Sequence, residues 1–164
     1  MPIDLAFCAG LPERELSLGE LLVREGESTE GRLFFLSMGS LEVIKGDDVS
    51  VAVLTEPGSV VGEISVLLGT TYTASVRALE PSRCFVADDG EAFLHSHPEA
   101  SLAVSRLLAR RLYMATTYLA DIKRQYADHD ASLAMVDEVL ETFVHHQDDG
   151  VADAGSDRER EPNY

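Results

Sequence analysis

Gly62-Glu63-Ile64-Ser65-Val66-Leu67-Leu68-Gly69, followed after two residues by Tyr72-Thr73-Ala74-Ser75-Val76-Arg77-Ala78, is the stretch on which the reading of this chain turns. Val66-Leu67-Leu68 is a short apolar run closed by Gly69, and it fits one helical turn with a glycine stop. That turn interrupts a different pattern. From residue 16 to about 87 the chain consists of short apolar runs punctuated by glycines, with candidate strands at 20–24, 32–37, 40–45, 50–54, 59–61, 72–78 and 82–87. Met38-Gly39 predicts a hairpin between the second and third of these, and Gly46-Asp47-Asp48 predicts another hairpin tip. Many short strands with turns every eight to twelve residues point to a sandwich or jelly roll, not to a βαβ sheet.

After Asp88 the period changes. Asp89-Gly90 precedes a short segment from Glu91 to His95, and Pro98 stands where a long helix would start, running to about Tyr126. Leu108, Leu112, Ala115, Leu119, Ile122 and Tyr126 alternate at spacings of four and three, a heptad seam. Such a seam either packs back on the β-structure or pairs with its own copy. A second helix carries Leu133, Val136, Leu140 and Phe143 on one stripe and ends near His146. Residues 1–14, with Pro2, Gly10 and Pro12, read as a lead-in holding one helical turn. The fold expected is therefore mainly β with C-terminal helices: a jelly-roll β-roll, a long helix and a further terminal helix. The expected organisation is 1–126 for the roll and its long helix, 127–147 for the extra helix, and 148–164 for an acidic disordered tail.

The stretch from Gly62 resembles the phosphate-binding cassette of cyclic-nucleotide-binding domains, which reads roughly G-E-hydrophobic-A-hydrophobic and then P-R-x-A-x-V. Leu18-Gly19-Glu20-Leu21-Leu22, Val23-Arg24-Glu25-Gly26-Glu27, the run Leu33 to Val43 and Pro57-Gly58-Ser59-Val60-Val61 resemble other parts of that family in order, so the likeness covers about residues 15–126. The resemblance implies a ligand site at Gly62, Glu63, Ile64, Ser65, Val66, Tyr72, Thr73 and Ala74. The short helix would offer backbone N–H groups to the cyclic phosphate. Glu63 would accept from the ribose 2′-hydroxyl. Where the family places its phosphate-pairing arginine, this chain has Tyr72, and the preceding proline is Thr71.

Losing such a charge partner costs roughly 2–5 kcal/mol, or about thirty-fold to a few thousand-fold in affinity. Three accounts follow. The pocket binds cyclic AMP (cAMP) or cyclic GMP (cGMP), with the Tyr72 hydroxyl, Thr73 and backbone groups replacing the arginine. Thr73 stands where a threonine in cyclic-GMP-dependent kinases bonds guanine. Alternatively the pocket takes an uncharged nucleoside or other small ligand, or it is vestigial and the roll is a homodimeric scaffold. Tyr72 reads equally well as an exposed strand tyrosine. Arg77, five residues on, falls on the opposite strand face and is not expected to serve the phosphate. In the catabolite-activator branch of the family the corresponding helix dimerises, which implies a homodimer through 104–126 and 133–144 that signals to an unknown protein partner.

Composition narrows the function. The net charge is −16 over 164 residues. Residues 127–164 hold eleven acids against two bases, a net of −9, which leaves −7 for residues 1–126. A duplex-binding protein needs a basic face, so no DNA partner is expected. Arg106, Arg110, Arg111, Lys123 and Arg124 read as a solvated helix face, and nothing after Tyr126 resembles a helix-turn-helix. No apolar run approaches a membrane span and no leader pattern is visible, so a cytoplasmic, stand-alone sensor is expected. Cys8 and Cys84 belong to no ligand-spaced cluster, and His95, His97, His145 and His146 lack a third ligand, so no metal and no cofactor are expected. No nucleophile–base pattern or Walker loop is present, and the chain does not read as an enzyme.

Overall fold

The computed structural model describes residues 4–125 and 130–145. A 3-10 turn at Leu5–Cys8 leads into strands β1 (Glu13–Leu16), β2 (Leu21–Val23), β3 (Leu33–Met38), β4 (Leu41–Lys45), β5 (Val49–Leu54) and β6 (Val60–Val61). Helix α1 (Glu63–Leu68) separates these from β7 (Ser75–Ala78) and β8 (Ser82–Ala87). The helices α2 (Gly90–Ser96), α3 (Pro98–Gln125) and α4 (Asp130–His145) follow. The strands form two four-stranded antiparallel sheets, in the orders β1-β8-β3-β6 and β2-β7-β4-β5. This is the expected β-roll with helices after it.

β3 sets the layering. Leu33-Phe34-Phe35-Leu36 has no polar alternate because both of its faces are buried. Phe34 and Leu36 point between the sheets, where they join Leu16, Leu22, Leu41, Val61, Val76 and Cys84. Leu33 and Phe35 point outward, against Phe93 and Leu94 of α2 and Ala100 and Val104 of α3. Phe7, Phe35 and Phe93 form an aromatic trio there, with Phe35 5.5 Å from Phe7 and 5.6 Å from Phe93 between ring centroids. α2 and the first turns of α3 thus pack on the outer face of β3, and Val66 of the cassette helix packs against the same cluster.

The chain divides into two compact units, Met1–Arg110 and Arg111–Tyr164, with α3 running through the boundary. In the second unit Lys123 pairs with Asp137, joining the end of α3 to α4. Leu112, Tyr113, Met114 and Tyr118 are exposed, while Val136 and Leu140 are half-buried. Tyr126, the side chains of Leu133 and Phe143, and the expected tail at 148–164 lie outside the described residues.

The structure corrects three local expectations. Met38-Gly39 does not make a hairpin: β3 and β4 lie in different sheets, and Gly39 turns a corner between them. That corner needs glycine, since a Cβ at φ 97° would sit 2.6 Å from the Ser82 Cα. β1 was not anticipated, because its only buried residue is Leu16. It pairs antiparallel with β8 from Glu13 opposite Phe85 to Leu16 opposite Ser82, and Arg83 of β8 adds ion pairs to Glu13 (3.2 Å) and Glu15 (3.0 Å) across the strands. The expected strand 72–78 is shorter, beginning at Ser75, because Tyr72 bonds away from the sheet.

Candidate ligand site at the cassette helix

The site is built on the turn between β6 and β7. Gly62 caps α1 with φ 92°, a left-handed conformation that favours glycine. Space imposes the same choice, since a Cβ there would stand 2.8 Å from the Arg32 carbonyl oxygen. The Val66 N–H donates to the Gly62 carbonyl (2.9 Å), closing the first turn. At the other end Gly69, φ 64°, ends the helix, and the Thr70 N–H donates to the Ser65 carbonyl (3.0 Å). The sequence-predicted helical turn is therefore present and extends back to Glu63.

The candidate residues fall into two groups. Glu63 and Ser65 are turned inward, at 4% and 2% exposure. Ile64 is exposed and Val66 half-buried. Glu63 stands in the first turn of α1, beside the N-terminal end of the helix dipole. Thr73 and Ala74 are half-buried on the approach to β7.

Tyr72 is not an exposed strand tyrosine. It is 7% exposed, and its ring belongs to the core between the sheets. Its Cε1 lies 3.5 Å from where a Gly62 Cβ would be, so the phenol closes on the cap of α1. The hydroxyl donates to the Thr29 carbonyl (3.2 Å). The backbone adds two bonds to the same loop, Tyr72 N–H to the Glu27 carbonyl (3.0 Å) and Gly26 N–H to the Tyr72 carbonyl (2.8 Å). Tyr72 therefore fastens the loop 26–29 to the cassette. Burial pushes the phenol above its ordinary pKa, partly offset by the nearby Arg32 charge. For the hydroxyl to serve a phosphate, its one proton must first leave Thr29.

Arg77 stands on the outer face, as its strand parity predicts, with its guanidinium 2.8 Å from the Glu42 carboxylate. Three arginines with no role assigned from the sequence share a crevice with Tyr72. Arg14, Arg24 and Arg32 line a polar crevice of about 350 Å³ together with Tyr72, Glu27 and Glu30. Arg32 pairs with Glu30 (2.9 Å) and Asp88 (3.2 Å), and Arg24 with Glu27 (3.4 Å). Arg14 donates to the carbonyls of Leu21 (3.0 Å) and Leu22 (3.1 Å), bridging the edges of the two sheets. Arg24 and Arg32, flanking Glu25, Glu27 and Glu30, were the available signal.

Among the described residues no group of three or more His, Cys, Asp or Glu could hold a metal ion. No described helix is long and apolar enough to cross a membrane. His95 lies 3.8 Å from Glu91, and His97 stacks on Phe93 with 4.2 Å between centroids. Cys8 and Cys84 are buried and free, and burial pushes their thiols up to about 12 and about 11.

Comparison with known structures places this architecture. The catabolite activator protein of Thermus thermophilus superposes with a TM-score of 0.62 at 24% identity, over 71% of this chain and 57% of that one. This chain thus spans little more than half of that relative. A protein of a cyclic-GMP-dependent signalling pathway that regulates bacterial phytopathogenesis gives a TM-score of 0.56 at 24% identity, covering 66% and 91% of the two chains. The sensor domain of the transcriptional regulator DNR from Pseudomonas aeruginosa gives 0.52 at 22% identity, covering 66% and 76%. No curated protein sequence matches the chain. The family profile for the cyclic nucleotide-binding domain matches residues 13–94, from β1 into α2. That family is typically regulatory, not catalytic. With the roll, the glycine-capped cassette helix and the profile in agreement, this chain belongs to the cyclic nucleotide-binding domain family.

Proposed function

We propose that this chain is a non-catalytic regulatory sensor. It binds a cyclic mononucleotide weakly or with altered specificity, and it passes the signal through helix rearrangement to a separate protein partner. The observation that carries this reading is the first half of the cassette: Gly62 with its left-handed cap, and Glu63 and Ser65 buried in the turn that follows. Glu63 accepts from the sugar hydroxyl, and the N–H groups of the cassette face the phosphate. The missing cation at residue 72 lowers affinity without removing the sugar contact. The segment from Asp88 to Pro98 is the hinge, and α3 the moving element. The relatives in cyclic-GMP signalling and catabolite activation give this reading its context, not its ligand. The exposed apolar side chains of α3 beyond Arg111 support a homodimer through 104–126 and 133–144. The protein acts in the cytoplasm, without DNA, membrane, metal or cofactor.

The test is isothermal titration of cAMP and cGMP into the wild-type chain and Glu63→Ala. Loss of the sugar contact weakens binding of the better ligand by about tenfold or more. Equal affinities in the two proteins would remove Glu63 from the site.

One observation favours a second reading, in which the ligand is an uncharged nucleoside. The Tyr72 proton is engaged by Thr29, and no arginine stands at residue 72. Under that reading adenosine or guanosine binds at least as well as its cyclic monophosphate, and Tyr72→Arg reverses the order.

A further inference from the structure

Two clefts meet along α1, and they share Ser65 and Val66 with the candidate ligand site. One, of about 430 Å³, is lined by Val66, Leu67, Leu68, Leu94 and Val104, with Glu91, His95, Ser101 and Ser105 around them. The other, of about 350 Å³, is lined by the hydroxyl-bearing residues Ser28, Thr29, Ser65, Thr70 and Thr71 and by the acidic Asp89 and Glu91. Val66, Gly69 and Glu91 line both, so an apolar groove opens directly into an acidic, hydroxyl-bearing cleft. Leu67 and Leu68 stand 51% and 53% exposed on the groove wall. Neighbouring leucines at a short helix end are costly to leave in water unless something covers them. No Lys or Arg lines either cleft, and Glu91 is widely exposed.

We propose that this composite cleft is the output surface of the sensor and that it docks a basic amphipathic helix of the partner protein. Apolar side chains one turn apart would enter the groove between α1, α2 and the first turns of α3. A lysine or arginine beside them would meet Glu91 and Asp89. The charge of the whole chain, −16, draws such a segment in. The inference rests on the reading above, that the signal leaves through a separate protein, and it adds where and by what chemistry. It also supplies a short route for the signal. The same six-residue helix buries Glu63 in its first turn, borders the acidic cleft with Ser65 and sets Leu67 and Leu68 on the groove wall. Ligand and partner then change each other's affinity by the same factor.

The experiment uses fluorescence anisotropy of the full chain with a labelled model helix of leucine and lysine, and with its counterpart carrying glutamate for lysine. The lysine peptide binds without nucleotide, and the glutamate peptide binds at least about tenfold more weakly. Leu67→Ser and Glu91→Lys each weaken the lysine peptide by about five- to tenfold. Glu56→Lys changes net charge by the same amount at an exposed site on the other side of α1 in sequence and leaves binding close to wild type. Equal losses in Glu91→Lys and Glu56→Lys would mean general attraction to an acidic chain and overturn the proposal. So would equal binding of both peptides, no effect of Leu67→Ser, or dissociation of a homodimer by Leu67→Ser, which would make the groove a contact between copies. Peptide binding is read without nucleotide, so its failure is separate from a failure of cAMP and cGMP to bind.

Discussion

Tyr72 carries two loads: its ring closes on the cap of the cassette helix, and its hydroxyl holds the loop at Thr29. Being buried and uncharged, it also has a pH signature. A phenol raised above its unfolded value of about 10 stabilises the fold fully below that pH and loses the contribution as pH climbs through the higher folded value. Cys84, pushed up to about 11 from 9.0, and Cys8, up to about 12, act in the same direction. Stability should therefore decline above about pH 9, and Tyr72→Phe should flatten the part of the decline beyond pH 10. Chemical denaturation of both proteins between pH 8 and 11 measures this, and parallel curves would remove Tyr72 from the account. At neutral pH the same substitution should cost about 0.5–1.5 kcal/mol for the lost hydrogen bond. The helical turn from Glu63 to its stop at Gly69 was legible in the sequence, because a short apolar run closed by glycine is a local pattern. The burial of Tyr72 was not, because its hydroxyl partner is a backbone carbonyl 43 residues away that no side chain announces.

At the scale of elements, the geometry of α1 depends on Gly62. Gly62→Ala places a Cβ against the Arg32 carbonyl and forces a left-handed backbone on alanine. Strain of that kind costs about 1–3 kcal/mol, with the close contact added to it. Urea unfolding should show at least that loss, and ligand affinity should fall with it; a variant as stable as wild type would mean that the cap is not under this constraint. The strands tell how far pattern reading reaches. β3, β4, β5 and β8 were visible as apolar runs, and the β4–β5 hairpin followed from Gly46-Asp47-Asp48. The β3–β4 corner resembled a hairpin because a glycine with positive φ serves both kinds of turn, and only the contact with Ser82 separates them. β1 escaped because Leu16 is its one buried residue, so it carries no apolar run, and its pairing partner β8 lies far along the chain.

On the scale of the whole molecule, the acidic charge and the exposed apolar side chains of α3 lead to predictions about assembly. Leu112→Asp places a charge on the heptad seam and should convert a sedimenting dimer to monomer while leaving the roll folded. An unchanged sedimentation coefficient would assign the seam to packing within one chain. The central claim, a cyclic nucleotide-binding pocket that reads its ligand through Glu63 without a cation at residue 72, is tested most directly by thermal unfolding. The wild-type chain and Glu63→Ala are heated with cAMP, cGMP, adenosine and guanosine at millimolar concentration. A ligand at ten times its Kd contributes about 1.4 kcal/mol, or about 3–6 °C in a protein of this size. The account predicts such a shift for cAMP or cGMP with the wild type, and one cut to about a third or less with Glu63→Ala. No shift with either cyclic nucleotide would contradict it.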